Sequence, residues 1–454
     1  MRQIKTIDAD TLTVISAYFR LRGEHSFLLE SVPTDSEKSR YSIIALDPVH
    51  EFKTNGMLVT VDGQTSESKD PLLALQNLVV VQEQPVEELP FQGGAIGYVG
   101  FDTVACYEKL ENQPKDELDM PDSHLFLYEN FVIFDHRQEK IKIVVDNVYS
   151  GRQNLEHVVL AIENKLKLPV ADELVPVKLH ELNPKSNVTP EQFKEIVNHT
   201  KELIQEGDMF QMVPSQRFSF EFEDKPFDFY RQLRRTNPSP YMYYMDYGDY
   251  QIIGSSPESL VTVRGETVTT NPIAGTRKRG QTLTEDVAIA KELKTNEKEL
   301  AEHRMLVDLG RNDLGKVSEY GSVKVTTLLE IQKYRYIMHL VSEVSGKLRA
   351  HTPAIEALKA TLPAGTVSGA PKVRALQRIY EMEPVKRGVY AGAIGYLSRD
   401  NQMDFAIAIR TMVVKSNKGY VQAGAGIVYD SIAENEYQET LNKAKALLRV
   451  GGDV

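Results

Sequence analysis

Short apolar runs separated by turn residues fill the first third of the chain. Phe27–Ser31 (FLLES), Arg40–Leu46 (RYSIIAL), His124–His136 (HLFLYENFVIFDH) and Lys140–Tyr149 (KIKIVVDNVY) read as strands. From Leu166 to Thr189 the pattern turns polar and is punctuated by proline. That predicts either a connection between two halves or a surface strand and loop. The second half opens on a helix start: Thr189 as N-cap, Pro190 at the first helical position, and Gln192 completing a capping box. Phe193, Ile196, Val197 and Ile204 recur at helical spacing, and Gly207 supplies the stop. The alternation Phe218–Phe222 (FSFEF) predicts a strand, and Thr284–Gly310 one long charged helix. Ser431 and Glu434 have the spacing of a second capping box, for a helix running through Arg449. Strands and helices come in blocks, without strict βαβ alternation. The expected class is therefore α+β with largely antiparallel sheet.

Composition narrows the class further. The chain has 454 residues, enough for a large core, and ordinary hydrophobic and charged fractions. No run of about 18 apolar residues exists, so no membrane span is expected. The segment MRQIKTIDADTL has acids where a signal peptide needs an apolar stretch, which makes the cytoplasm the default. Cys106 is the only cysteine, so an intrachain disulfide and a multi-cysteine metal site are excluded. Its context, DTVACYEK, is that of a small buried residue rather than a nucleophile. A net charge of −11 disfavours a phosphate-backbone partner. A small anionic substrate remains compatible, provided cations are placed locally.

Two carboxylate pairs stand out. Glu299 and Glu302 share a helix face by their spacing, and Glu436 and Glu439 repeat it. Four carboxylates from two helices could converge on a hard divalent cation. They could equally be solvated faces, paired with Lys298, Arg304 and Lys443. The segment Pro363–Lys372 (PAGTVSGAPK) offers backbone N–H groups, hydroxyls and a lysine that could cradle an anion, although it lacks the spacing of a nucleotide P-loop. QAGAGIVYD and YAGAIGYL could be tight strand turns or close backbone approaches. Arg410 ends the apolar run DFAIAIR, which reads as a buried strand, and a charge there needs an anionic partner. That partner could be a protein or a substrate carboxylate.

At this point the residues resemble a known family, the chorismate-utilising enzymes, which includes anthranilate, aminodeoxychorismate, isochorismate and salicylate synthases. The matching segments are GDMFQMVPSQRF, GSSPESLV, NPIAGTR, KELAEHRMLVDLGRNDLGKV, IMHLVSEV, LPAGTVSGAPK, YAGAIGY, FAIAIRTM, QAGAGIVYDS and ENEYQETLNKAKAL, in order. FLLESV, RYSIIAL and GGAIGYVGFD extend the likeness into the first third. The resemblance implies an intertwined α/β sandwich, with two largely antiparallel sheets face to face and helices outside. Within it, residues 1–165 would form the N-terminal region carrying part of a regulatory pocket. Residues 166–189 would connect, and 190–454 would form the chorismate-binding catalytic region.

The family pattern also implies roles. Glu302 and Glu439 would be direct Mg²⁺ ligands, with Glu299 and Glu436 acting through metal-bound waters. Tyr390, Arg410 and the backbone at Gly424 and Gly426 would take the enolpyruvyl carboxylate. Thr366, Gly275 and Thr276 would line the ring and metal site, and Lys443 would support the ligand face. Glu258 resembles the general acid for loss of the ring hydroxyl, and His339 the histidine near it. Gln211 stands where the water-using members carry a lysine, and Ala274 where many aminodeoxychorismate synthases do. Both point to the anthranilate synthase branch, which uses ammonia. Glu30, Ser31, Pro240, Tyr241 and Met242 resemble the tryptophan pocket of feedback-inhibited members. No glutamine-hydrolysing region is present, so a separate amidotransferase subunit (component II), in a heterotetramer, would deliver the ammonia. Ser39, Pro214, Ser318 and Tyr320 depart from the usual pattern without touching an expected catalytic group.

Overall fold

The computed structural model describes residues 1–31, 40–169, 182–333 and 337–450. Ser39 and the middle of the 166–189 connection lie outside the described residues. Among those described, two large sheets dominate, one of eleven strands and one of twelve. Every strand pairing in them is antiparallel. Each sheet takes strands from both ends of the sequence. Phe27–Glu30 pairs with Tyr241–Asp246, Glu30 facing Met242 across the ladder. In the other sheet, Gly94–Val99 pairs with Ala393–Ser398. The halves are thus interwoven, as the resemblance implies.

Strand alternation explains the layers. On neighbouring positions of one strand, Phe27 points into the space between the sheets and Leu28 points outward. Ile43 and Ile44, and Tyr243 and Tyr244, divide in the same way. In the second sheet Ile96, Tyr98, Phe126 and Tyr128 face inward, while Ala95, Leu125 and Leu127 face the other way. Both faces of the central strands are therefore buried, which is why strands such as Gly94–Val99, Ser123–Tyr128 and Asn130–Asp135 appear in the sequence as continuous apolar runs. Helices Val14–Leu21, Leu155–Leu166, Pro226–Thr236 and Ala433–Leu448 cover the outer face of the first sheet. Helices Pro71–Leu78, Glu297–Gly315, Ala354–Thr361 and Lys372–Met382 cover that of the second.

The capping box at Thr189 forms as expected: Thr189 Oγ1 accepts from the Gln192 N–H, and Gln192 Oε1 accepts from the Thr189 N–H. Gly207, at φ +84°, follows the end of that helix. Of the 166–189 connection, Lys185–Ser186 is an exposed edge strand on Ser215–Glu221.

Two helix expectations are corrected. The long helix is two, Leu283–Thr295 and Glu297–Gly315, because Asn296 leaves helical geometry and its side chain caps the second. The C-terminal helix begins at Ala433 with no side-chain cap, since Ser431 Oγ is spent on the Val428 N–H at 3.1 Å.

Candidate active site

One cavity of about 580 Å³ is lined by Gln211, Glu258, Ala274, Gly275, Thr276, Glu299, Glu302, His339, Thr366, Tyr390, Arg410, Gly424, Gly426, Glu436, Glu439 and Lys443. These are all the residues assigned from sequence to catalysis, substrate and metal. They come from distant elements that only the interwoven sheets and their covering helices bring together.

The helix Glu297–Gly315 supplies Glu299 and Glu302, and the helix Ala433–Leu448 supplies Glu436 and Glu439. The three-residue spacing puts each pair on one face. Burial raises the Glu302 carboxyl above its ordinary value, and the charges of Glu299 and Glu439 add to it. Burial also raises Glu436, with Glu439 again contributing. The two helices therefore hold their carboxylates within electrostatic reach of one another. As they stand, each turns to its own neighbour. Glu302 Oε1 accepts from Gln211 Nε2 at 3.0 Å, Glu299 Oε1 from Arg277 Nη1 at 2.9 Å, and Glu439 pairs with Lys443 at 2.7 Å. Among the described residues no three His, Cys, Asp or Glu side chains are already closed around one metal-sized point. The donor set is nevertheless all oxygen and mutually repelling, beside the buried Oε1 of Gln211, which has no hydrogen-bond partner among the described residues, and that is the chemistry a hard divalent cation takes.

Glu258 follows the strand Tyr250–Ser256 and is buried. Burial pushes its carboxyl up to about 8, against the Thr366 hydroxyl, which donates to Glu258 Oε1 at 3.2 Å. His339 faces Thr276 in the strand ladder, with Nδ1 2.9 Å from Thr276 Oγ1. Burial, and then the charge of Arg410, pull its pKa down to about 4, so the ring is neutral at pH 7.

Arg410 is not at the end of a buried strand. It lies at the corner between strands Met403–Ile407 and Thr411–Lys415, at φ +48°. Ala391, next to Tyr390, sits at φ +64°. Left-handed backbone at non-glycine residues costs of order 1 kcal/mol or more and persists where the surroundings impose it. Here it turns the chain at Arg410 and immediately after Tyr390, two of the positions assigned to the enolpyruvyl carboxylate. Tyr390 bonds the Gly424 backbone. A Cβ at Gly424 would stand 2.8 Å from the Pro214 carbonyl oxygen, so only glycine allows this approach.

The lysine of PAGTVSGAPK does not serve an anion site. Lys372 is buried against Asp313 at 2.6 Å and the Thr361 carbonyl at 2.9 Å. Cys106 is partly buried, and burial pushes its thiol up to about 11, away from nucleophilic use.

A second cavity, of about 530 Å³, lies between the sheets. Glu30, Ser31, Pro240, Tyr241 and Met242 all line it, with Tyr41, Arg264, Asn271, Tyr396 and Asp404. The carboxylate of Glu30 is already held by Arg234 Nε at 2.7 Å and the Tyr230 hydroxyl at 2.8 Å. Sequence reasoning missed Arg277 as a partner of Glu299, and named Lys298, on the first cavity's wall, only as a surface charge. Asn296 with Glu299 three residues on is an N-cap signal that could have exposed the helix break bringing Arg277 into reach.

A large antiparallel sandwich whose cavity gathers four carboxylates, an arginine and a buried acid is the frame of an enzyme that acts on a small molecule. The sequence model of the chorismate binding enzyme family matches residues 24–449. An anthranilate synthase component 1 from Lactococcus lactis subsp. lactis (strain IL1403) is 53% identical, covering 99% of this chain and 100% of that protein. Another, from Acetivibrio thermocellus, is 44% identical over 97% of this chain and 93% of that one. Among solved structures, anthranilate synthase component I from Streptococcus pneumoniae TIGR4 has a TM-score of 0.87 and 51% identity, covering 98% of this chain and 99% of that one. The menaquinone-specific isochorismate synthase from Escherichia coli reaches a TM-score of 0.77 at 20% identity, covering 100% and 95% of the two chains, a likeness of fold. The chain belongs to the chorismate binding enzyme family, in the branch of the anthranilate synthase component 1 proteins.

Proposed function

We propose that this chain is the large subunit of an anthranilate synthase, converting chorismate and ammonia to anthranilate and pyruvate. The supporting observation is that the acidic helix faces, Arg410 and the buried Glu258 share one cavity with the neutral Gln211. A bound Mg²⁺, held by Glu302 and Glu439 directly and by Glu299 and Glu436 through water, would supply positive charge for the ring carboxylate. Arg410, with Tyr390 and the backbone at Gly424 and Gly426, clamps the enolpyruvyl carboxylate, and the guanidinium fork fixes its orientation. Ala274, Gly275 and Thr276 form the wall beside the ring, and Lys443 steadies Glu439.

Ammonia adds at C2 while the C4–oxygen bond breaks. Glu258, protonated at neutral pH through its burial, gives its proton to the departing hydroxyl, which leaves as water, and Thr366 orients that carboxyl. The C2 proton is then removed and the enolpyruvyl ether bond breaks, releasing pyruvate. His339, held by Thr276, takes part in that second step. Its low basicity is raised when a dianion enters the cavity beside it. Gln211, being neutral, cannot act as a general base for water, which suits a nucleophile already reactive as free ammonia.

The ammonia comes from a separate glutamine-hydrolysing subunit, in a cytoplasmic heterotetramer, and tryptophan binds the second cavity as feedback inhibitor. Among the described residues no helix is long and apolar enough to cross a membrane. The test is to supply the purified chain with chorismate and Mg²⁺, and either ammonium or glutamine. Anthranilate fluorescence and pyruvate release with ammonium alone are expected. Turnover with glutamine alone, or an amino product without pyruvate, overturns the reading.

A further inference from the structure

The break between the helices Leu283–Thr295 and Glu297–Gly315 brings Glu292 and Glu299 to one guanidinium. Arg277, on the strand Ile273–Lys278, donates through Nε and Nη2 to the two oxygens of Glu292, at 2.9 and 3.1 Å. Its Nη1 donates to Glu299 Oε1 at 2.9 Å and to the Thr276 carbonyl at 3.0 Å. Asn296 ties the same group together from the helix junction. Its Nδ2 donates to Glu292 Oε1 at 3.1 Å, and its Oδ1 accepts from the Glu299 N–H at 3.2 Å.

The strand carries a register shift between Ala274 and Thr276, with Gly275 at φ +68°. Such a bulge re-aims the residues around it. A Cβ at Gly275 would stand 3.0 Å from Glu299 Oε2. Glu299 thus gives one oxygen to Arg277 and lays the other over Gly275, on the wall of the cavity.

We infer that Arg277, anchored by Glu292 and Asn296, is a positioning residue that fixes the Glu299 carboxylate for the divalent cation. The inference rests on the reading of the four carboxylates as the Mg²⁺ site. Acting through metal-bound water, Glu299 is itself a partner beyond the direct ligands; loss of such partners typically weakens metal binding by about 10–100-fold, and freeing Glu299 from Arg277 is expected to reach the lower end of that range. Glu292 is the informative handle. It is half exposed on the outer helix, does not line the cavity, and among the described residues its carboxylate reaches the site through Arg277 and Asn296.

The experiment is calorimetric titration of Mg²⁺ into the full chain with chorismate present and ammonia absent, so that nothing turns over. Glu292→Gln and Arg277→Gln are expected to weaken Mg²⁺ binding by about tenfold. Arg277→Lys keeps the charge but cannot span both carboxylates, and is expected to recover little of the loss. Thermal melts identify any variant that fails to fold, and Glu292→Gln decides the matter if Arg277→Gln does so. Wild-type affinity in Glu292→Gln, tighter binding in Arg277→Gln, or full recovery with lysine overturns the inference. Absence of Mg²⁺ binding by the wild-type chain overturns the metal reading along with it.

Discussion

Gln211 donates to Glu302 Oε1 at 3.0 Å, while its own Oε1, buried, has no hydrogen-bond partner among the described residues. A neutral amide thus holds one face of the acidic cluster and leaves an acceptor within the cavity. Lysine at this position would place a cation against Glu302 and remove that acceptor. Gln211→Lys is expected to lower kcat/KM for ammonium by up to about tenfold, the scale of one lost neutral hydrogen-bond acceptor. Initial rates at saturating chorismate and Mg²⁺ measure it, and undiminished turnover would remove Gln211 from the argument for ammonia.

Glu258 gives a pH prediction with a definite sign. Burial holds its carboxyl up to about 8, from an ordinary value of 4.5. Between those values the folded chain keeps a proton that the unfolded chain has released, so stability from this group falls as pH rises. Glu258→Gln should therefore melt above the wild type at pH 8, with the gap closing towards pH 5. Its anthranilate formation should drop by about 10²–10⁴-fold, as for a lost general acid. At constant free ammonia, wild-type turnover should decline above about pH 8. An active Glu258→Gln enzyme would mean that another group protonates the leaving hydroxyl.

Much of this was legible before the structure, for reasons that differ by element. The box at Thr189 is local, so three residues suffice to read it. The i, i+3 carboxylates were visible as pairs, but spacing along one helix cannot say what the helix faces. Only the family pattern brought Glu299 and Glu436 to one cavity. Arg410 was misplaced because a left-handed corner leaves no mark in an apolar run that simply continues into TMVV. The split at Asn296 was missed because charged helical residues flank it on both sides. Arg277 was missed with it, since its two partners come together only through that split.

Arg410 separates binding from chemistry. Its planar fork matches a carboxylate with two donors, which an ammonium cannot reproduce. Arg410→Lys is expected to raise KM for chorismate by about ten- to hundredfold, from the loss of about 1.5–3 kcal/mol, with kcat changed less. A variant whose kcat collapses at unchanged KM would show that Arg410 acts on the transition state instead.

The second cavity gives the last prediction. Its volume suits a ligand the size of an amino acid with an aromatic side chain. Two short paths join it to the first. Asn271 lines the second cavity, and Ile273, two residues on, lines the first. Tyr241 faces Ser256 across the sheet, and Glu258, two residues beyond, is the buried acid. A ligand that spread the sheets at Tyr241 and Asn271 would act on both chain segments that lead to the wall around Glu258. Ser31→Leu fills the cavity margin without touching the first cavity or the Glu30–Arg234 pair, whose loss would threaten the fold. Tryptophan inhibition should weaken by about tenfold or more, a coupling-sized effect, with kcat and KM for chorismate near wild type. Because such coupling is reciprocal, chorismate should weaken tryptophan binding to the wild type by the same factor by which tryptophan weakens chorismate binding. Calorimetry of each ligand in the presence of the other measures both factors. Full inhibition of Ser31→Leu would place the inhibitor elsewhere.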